Sequence, residues 1–169
     1  DIIASYTYLA KKNNIDSLII SSDKDLMQLV DKRVEMLDPM KNKKIGISEV
    51  IDKFGVEPNK VVQIQALTGD KIDNIPGAPG IGPKTALELI NEFGDIEGLI
   101  KNANQIKQEK RRNIIVESAQ NIRLSLELVK LAQNVKLPIS IDKIIPYSLI
   151  KNSSKSISDF LIKQGFKTV

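Results

Sequence analysis

The sequence predicts an α/β fold: part of a parallel-sheet core, followed by a mainly helical region. Helix and strand patterns alternate from Ile2 to Pro39, as in units whose parallel strands are joined by helices. A short, continuously apolar run, Ser17–Ser21 (SLIIS), suits a strand covered on both faces. Beyond Gly55 the apolar residues recur at helical spacing and no convincing strand follows.

Taken in order, Ile2, Ile3, Tyr6, Leu9 and Ala10 mark a helix ending at Asn13 and Asn14. The SLIIS strand follows, and Ser22 or Asp23 caps a helix running to about Val30. A second strand, Val34 to Leu37, stops at the Asp38-Pro39 turn. Helices are expected from Ser48 to Phe54, with Gly55 after its end, and from Asn59 to Leu67, with Pro58 in its first turn. Others are expected from Pro83 to Phe93, Ile96 to Lys101, Gln105 to Ala119 and Asn121 to Ala132. Asn134 to Ser140 should be extended around Pro138, and a polar linker from Lys151 should precede a last helix near Ser156 to Gln164. The division expected is 1–55 for the end of the core, 56–145 for the helical region, and 146–169 for a linker and terminal helix.

Hydrophobic residues make up 41% of the 169 and charged residues 27%, a soluble globular composition. The apolar runs are far too short to span a bilayer, so no membrane partner is expected. The absence of cysteine removes disulfides and thiolate metal sites and fits a cytoplasmic setting. Histidine is absent too, which removes the commonest general base and the commonest zinc ligand. Catalysis would have to come from carboxylates, lysines, hydroxyls or a metal ion. The net charge is a modest +4, but Lys107, Lys110, Arg111 and Arg112 crowd together. They form either a solvated helix face or a surface that tracks phosphates. Asp1 opens directly onto a helical pattern with neither methionine nor lead-in, as expected of a chain cut inside a functional segment.

Two pairs of acids draw attention. Asp23 and Asp25 follow the SLII strand, and ligand sites in open parallel sheets gather at the carboxyl ends of strands. Ser22-x-x-Asp25 is equally an N-terminal capping box. Asp70 and Asp73, in Gly69-Asp-Lys-Ile-Asp-Asn, share one face if the segment is helical, where a divalent cation would relieve their repulsion. Alternatively, Asp70 caps a short helix and Asp73 begins a loop. Two such pairs without histidine tip the reading toward Mg²⁺ or Mn²⁺, which take oxygen ligands.

Between Gly77 and Thr85 runs GAPGIGPKT, which is no nucleotide-binding P-loop: Pro83 separates Gly82 from Lys84 and no strand precedes. It reads as a tight turn between helices. Gly80 and Gly82 allow positive φ and close backbone approach, Pro83 is preset for the first helical position, and Ile81 plugs the core. The free N–H groups at that helix start, with Lys84 beside them, would seat a backbone phosphate. An ordinary helix corner is the other reading. Such a seat grips backbone rather than base edges. With only 4% aromatics and no tryptophan, duplex DNA is a better partner than a single strand.

Together SSDKDLMQLV, LTGDKIDNIPG and GIGPKTALELI resemble the 5′→3′ exonuclease domain of bacterial DNA polymerase I, within the flap endonuclease superfamily of structure-specific 5′ nucleases. The likeness is strong from Asp1 to Gly94 and fades after Ile144. It implies a PIN-like core, a helix–three-turn–helix DNA-binding region, and two divalent ions held by acids at the sheet's edge. It further implies bacterial cytoplasm, at the nucleoid, and DNA carrying a 5′ end or 5′ flap as partner. Asp1 resembles the last acid of the family's E-A-D-D segment. Asp23 and Asp25 match its T-x-D-K-D motif, with Ser21 in place of Thr, and Asp70 and Asp73 match G-D-x-x-D-N. Gly80, Ile81, Gly82, Lys84 and Thr85 fall in the DNA-gripping turn, where the family also binds K⁺. The N-terminal half of the family's core has no counterpart here. The resemblance therefore leaves two readings: a nuclease completed by that part or joined to a polymerase domain, or a non-catalytic duplex-binding fragment.

Overall fold

The computed structural model describes residues 1–148 and 154–165. The chain divides into two compact units, Asp1–Val135 and Lys136–Val169.

The first unit opens with α1 (Ile2–Lys12) and β1 (Ser17–Ile20), then a 3-10 turn, Lys24–Leu29, and β2 (Val34–Asp38). The expected helix to Val30 is thus a short 3-10 helix of six residues. Its Leu26, Met27 and Leu29 are all buried, at a spacing the three-residue turn serves as well as an α-helix would. β1 pairs in parallel with β2, Ser17 opposite Val34 and Ile20 opposite Leu37. A third strand, β3 (Lys43–Ile45), joins antiparallel with Ile45 opposite Met36. It was not foreseen, because a three-residue strand with two lysines offers almost no alternation to read.

One face of the sheet carries the core. Val34, Met36, Ile19 and Ile45 are buried there, and the same cluster continues through Val50, Val61, Leu67, Leu89, Ile96 and Ile122. Burying each such side chain contributes about 1.5–3 kcal/mol. The SLIIS strand is not covered on both faces as expected. Leu18 is 52% and Ile20 64% exposed, since β1 is an edge strand and the described residues cover only the Ile19 side.

Helices then follow as α2 (Ile47–Phe54), α3 (Val61–Thr68), α4 (Pro83–Phe93), α5 (Ile96–Lys101), α6 (Glu109–Glu117) and α7 (Ala119–Val129). Gly46 N–H donates to the Glu49 carboxylate at the start of α2 (2.8 Å), and Gly55 closes it at φ 74°, a conformation glycine adopts without strain. Pro58 opens a 3-10 turn, Pro58–Lys60, that leads into α3. The stretch expected as one helix from Gln105 is broken: Ala103–Gln105 forms a 3-10 turn and α6 starts only at Glu109. Helix α3 packs against α7 and α4, which fixes the segment between α3 and α4.

The second unit carries α8 (Ile141–Ser148) and α9 (Ser154–Lys163). Helix α8 was not expected, since Pro146 argues against a helix there. Residues 134–140 form neither helix nor strand. The linker expected from Lys151 lies partly outside the described residues, and α9 already begins at Ser154. Among the described residues no helix is long and apolar enough to cross a membrane.

Candidate active site

The chain leaves β1 through a turn made by its own side chains. Asp23 N–H donates to Ser21 Oγ (3.1 Å), and Asp25 N–H donates to Asp23 Oδ1 (2.9 Å). Asp23 rather than Ser22 is therefore the cap, and the box between Ser22 and Asp25 does not form. That frees the Asp25 carboxylate to cross to α3, where Gln65 Nε2 donates to its Oδ1.

Asp70 and Asp73 stand on a turn instead of a helix. Asp70 and Ile75 exchange backbone hydrogen bonds of 3.0 and 2.7 Å, closing a loop whose Asn74 has φ 55°. Inside it, Ile72 N–H donates to Asp70 Oδ1 (2.8 Å). The other oxygen of Asp70 accepts from the Lys24 ammonium.

Lys24 is where the two acid pairs meet. Its pKa is raised by the hydrogen bond to Asp70 and by the negative field of Asp70, Asp25 and Asp73, against the lowering effect of burial. The Asp25 carboxyl is pushed up, first by burial and then by Asp23 and Asp73, while Gln65 and Lys24 pull it down. Asp70, by contrast, is held below the ordinary carboxylate range, chiefly by the Lys24 hydrogen bond. Asp23, Asp25, Asp70 and Asp73 thus share one electrostatic neighbourhood at the carboxyl end of β1. Asp1 is engaged elsewhere, its Oδ1 accepting the Ala132 backbone N–H (2.8 Å).

A cleft of about 320 Å³ runs beside Lys24, Asp25, Gln65 and Asp70 and reaches Lys53 and Pro83. Burial lowers the Lys53 pKa, and Lys41 and Lys24 add to the effect. Pro83 is the first residue of α4, so Asp25, Asp70 and the start of that helix border the same cleft.

The turn is pinned from below. Ala78 N–H donates to Leu67 C=O (2.8 Å), Gly77 N–H donates to the buried Ser125 Oγ (2.9 Å), and Ile81 is only 5% exposed. Gly77 lies so close to Gly69 that a Cβ would stand 2.5 Å from the Gly69 nitrogen. Gly80 has φ 79° and faces open space. Gly82 also faces open space, but its φ of −87° needs no glycine, contrary to the sequence expectation. Lys84 is exposed and Thr85 half-buried at the start of α4. Of the basic cluster, Arg111 pairs with Glu88 (3.3 Å) and Arg112 donates to the Ile106 carbonyl (3.3 Å), while Lys107 and Lys110 are exposed.

In kind, the donors suit a hard divalent cation: carboxylate oxygens only, with a positive charge already placed among them. Among the described residues, however, no three acids stand close enough to hold an ion as they are. The positive charge among them is the Lys24 ammonium, bonded to Asp70. Lys24, Lys53 and Gln65 were not singled out in the sequence. The available signals were a lysine between two acids in SDKD and a glutamine inside the apolar stretch of α3.

Sheet, acids and helical region define the class, a PIN-like α/β nuclease fold. Family models match the chain as "5′-3′ exonuclease, N-terminal resolvase-like domain" over residues 1–55 and "5′-3′ exonuclease, C-terminal SAM fold" over residues 56–152. The DNA polymerase I of Rhizobium leguminosarum is 50% identical over 169 residues, all of this chain and 16% of that protein. The 5′-3′ exonuclease of Aquifex aeolicus is 39% identical over 143 residues, 83% of this chain and 47% of that one. Among solved structures, T5 5′-exonuclease with divalent zinc ions bound superimposes with a TM-score of 0.68 at 24% identity, covering 75% of this chain and 48% of that one. The T5 flap endonuclease in a complex with DNA and metal ions gives the same TM-score of 0.68 at 23% identity, over 75% of this chain and 47% of its own. The chain belongs to the 5′-3′ exonuclease family. It spans about half the length of the Aquifex exonuclease and a much smaller part of the Rhizobium polymerase.

Proposed function

We propose that this chain serves a divalent-metal-dependent 5′→3′ exonuclease and 5′-flap endonuclease acting on DNA. One observation supports this above the others: the Lys24 ammonium bonds Asp70 and feels the field of Asp25 and Asp73, so acids from two distant segments act on one positive charge beside a cleft that continues to the first residue of α4.

In this reading Asp23, Asp25, Asp70 and Asp73 hold Mg²⁺ or Mn²⁺, two ions in all, once Lys24 gives way. Asp1 enters on the resemblance alone, since its carboxylate is committed to Ala132. A divalent ion bound there supplies neutralising charge at the scissile phosphate and activates water for attack. Gly80, Ile81, Gly82, Lys84 and Thr85 grip the duplex backbone, the exposed lysine by charge and the open glycines by letting phosphate approach the N–H groups. Carbonyls near Gly80 and Gly82 are the candidate K⁺ ligands. Lys53, at the cleft wall, adds positive charge where the phosphodiester would lie. Residues 1–55 supply the end of the nuclease core, 56–145 the helical DNA-binding region, and 146–169 a linker and terminal helix. The partner is duplex DNA with a 5′ end or flap, bound without regard to sequence, in the bacterial cytoplasm. A polymerase domain or a further part of the core is the protein partner.

The test is hydrolysis of a 5′-flap substrate with and without Mg²⁺. Asp70→Ala should abolish cleavage while duplex binding survives. Cleavage that persists in chelator would refute the metal-dependent reading. A second reading, a non-catalytic duplex-binding fragment, draws on the fact that no three described acids hold an ion as they stand. Binding without turnover at saturating Mg²⁺ would favour it.

A further inference from the structure

Gln65 lies on α3 and is only 8% exposed, flanked in the helix by the buried Ile64 and Ala66. Its Nε2 donates to Asp25 Oδ1. Its Oε1 is enclosed and has no partner, and among the described residues it is the only buried side-chain polar atom in that condition. An orphaned buried carbonyl costs about 1–3 kcal/mol. Methionine or leucine would fill the same space without that penalty. The amide is therefore a poor choice for packing alone, and the explanation has to lie at its other end.

That end treats Asp25 differently from the way Lys24 treats Asp70. Both oxygens of Asp70 are taken, one by the Ile72 N–H and one by a full positive charge. Asp25 receives a neutral donor on Oδ1, and among the described residues its Oδ2 has no partner. Asp25 is also partly buried and is repelled by Asp23 and Asp73, forces that would swing a free carboxylate toward solvent. A neutral hydrogen bond can hold the group against that repulsion while leaving its charge unspent.

We infer that Gln65 is a positioning residue: it fixes the Asp25 carboxylate so that the free Oδ2 faces an incoming divalent cation, and the orphaned carbonyl is the stability given up for that placement. The inference rests on the metal-site reading above. Partners that orient a metal-binding carboxylate typically change affinity 10–100-fold when removed.

The test compares wild type with Gln65→Met, which keeps the volume and removes both polar ends. Mn²⁺ affinity is read by electron paramagnetic resonance, Tm in chelator by calorimetry, and the Asp25 χ1 rotamer by three-bond NMR couplings. Expected are a Tm equal to or above wild type, a Mn²⁺ Kd at least about tenfold weaker, and couplings that change from a single rotamer to an average. Duplex affinity without metal should be unaltered. An unchanged Mn²⁺ Kd overturns the inference, and so does an averaged Asp25 rotamer in the wild type. A fall in Tm with no change in Asp25 couplings assigns Gln65 to packing and overturns it too. Wild-type protein that binds no Mn²⁺ sinks the metal reading instead. In that event the couplings still decide whether Gln65 orients Asp25.

Discussion

The Lys24 ammonium donates to Asp70 Oδ2 across 46 positions of sequence and joins the end of β1 to the loop after α3. The contact lies at the surface, its Lys24 side more open than its Asp70 side (side-chain exposures 45% and 15%), so it can be exchanged without unfolding the core. In the proposed mechanism Lys24 and the divalent ion compete for the same acids.

Lys24→Met therefore should have opposite effects with and without metal. In chelator the lost surface pair removes about 0.2–1 kcal/mol, a Tm decrease of roughly 1–4 °C for a domain of this size. Adding Mg²⁺ should then raise Tm by more than it does in the wild type. An equal or smaller rise would show that the ammonium does not compete.

A pH prediction follows from Asp25. Its carboxyl is pushed up by burial, so the folded protein binds this proton more tightly than the unfolded chain does. For a group raised in the folded state, the stabilising contribution is complete below the unfolded value and is lost as pH rises through the folded one. In chelator, Asp25→Asn should give a higher Tm than wild type at pH 7. The gap should close as the pH falls toward the ordinary aspartate value near about 3.9. Thermal scans across that range decide it, and a gap that widens at low pH would contradict the burial effect.

The glycines of the turn should separate by mechanism. Gly77→Ala adds left-handed strain of about 1–2 kcal/mol to overpacking of about 1–3 kcal/mol, because the new Cβ would lie 2.5 Å from the Gly69 nitrogen. Gly80→Ala suffers only the strain. Gly82→Ala, extended and facing open space, should alter stability by less than about 0.5 kcal/mol, yet weaken duplex binding several-fold by placing a methyl in the phosphate's path. Denaturant melts paired with binding isotherms would distinguish the three. A Gly82→Ala variant with unchanged duplex affinity would remove that position from the interface.

Lys84→Ala should weaken duplex binding about equally for all sequences. The slope of log Kd against log salt should flatten by about 0.9, one phosphate's worth. An unchanged slope would take Lys84 off the contact list.

Much of the fold could be read because single residues carry strong local signals. Pro83 at the first position of α4 and Gly94 after it fixed that helix's boundaries before any tertiary information. β3 and α8 escaped for the opposite reason: Lys43, Lys44 and Pro146 contradict the elements that contain them, and only pairing with β2 makes Lys43–Ile45 a strand. The candidate acids were visible as residue types at suggestive spacing. Their arrangement was not, because it depends on Lys24 and Gln65 reaching across the chain. The helical face expected for Asp70 and Asp73 gave way to a loop because the Asp70–Ile75 backbone pairing closes it.

The backbone contact between Gly69 and Gly77 leaves no room for even a methyl group between them. The Asp70 loop and the glycine turn are thus two halves of one rigid insert, tied at its base to Leu67 and Ser125. An engineer transplanting the proposed phosphate grip into another scaffold would have to move the span from Leu67 to Pro83 as a single cassette, together with a serine supplied from a neighbouring helix. Shorter grafts would carry the letters of the motif without the clamp that gives them their shape.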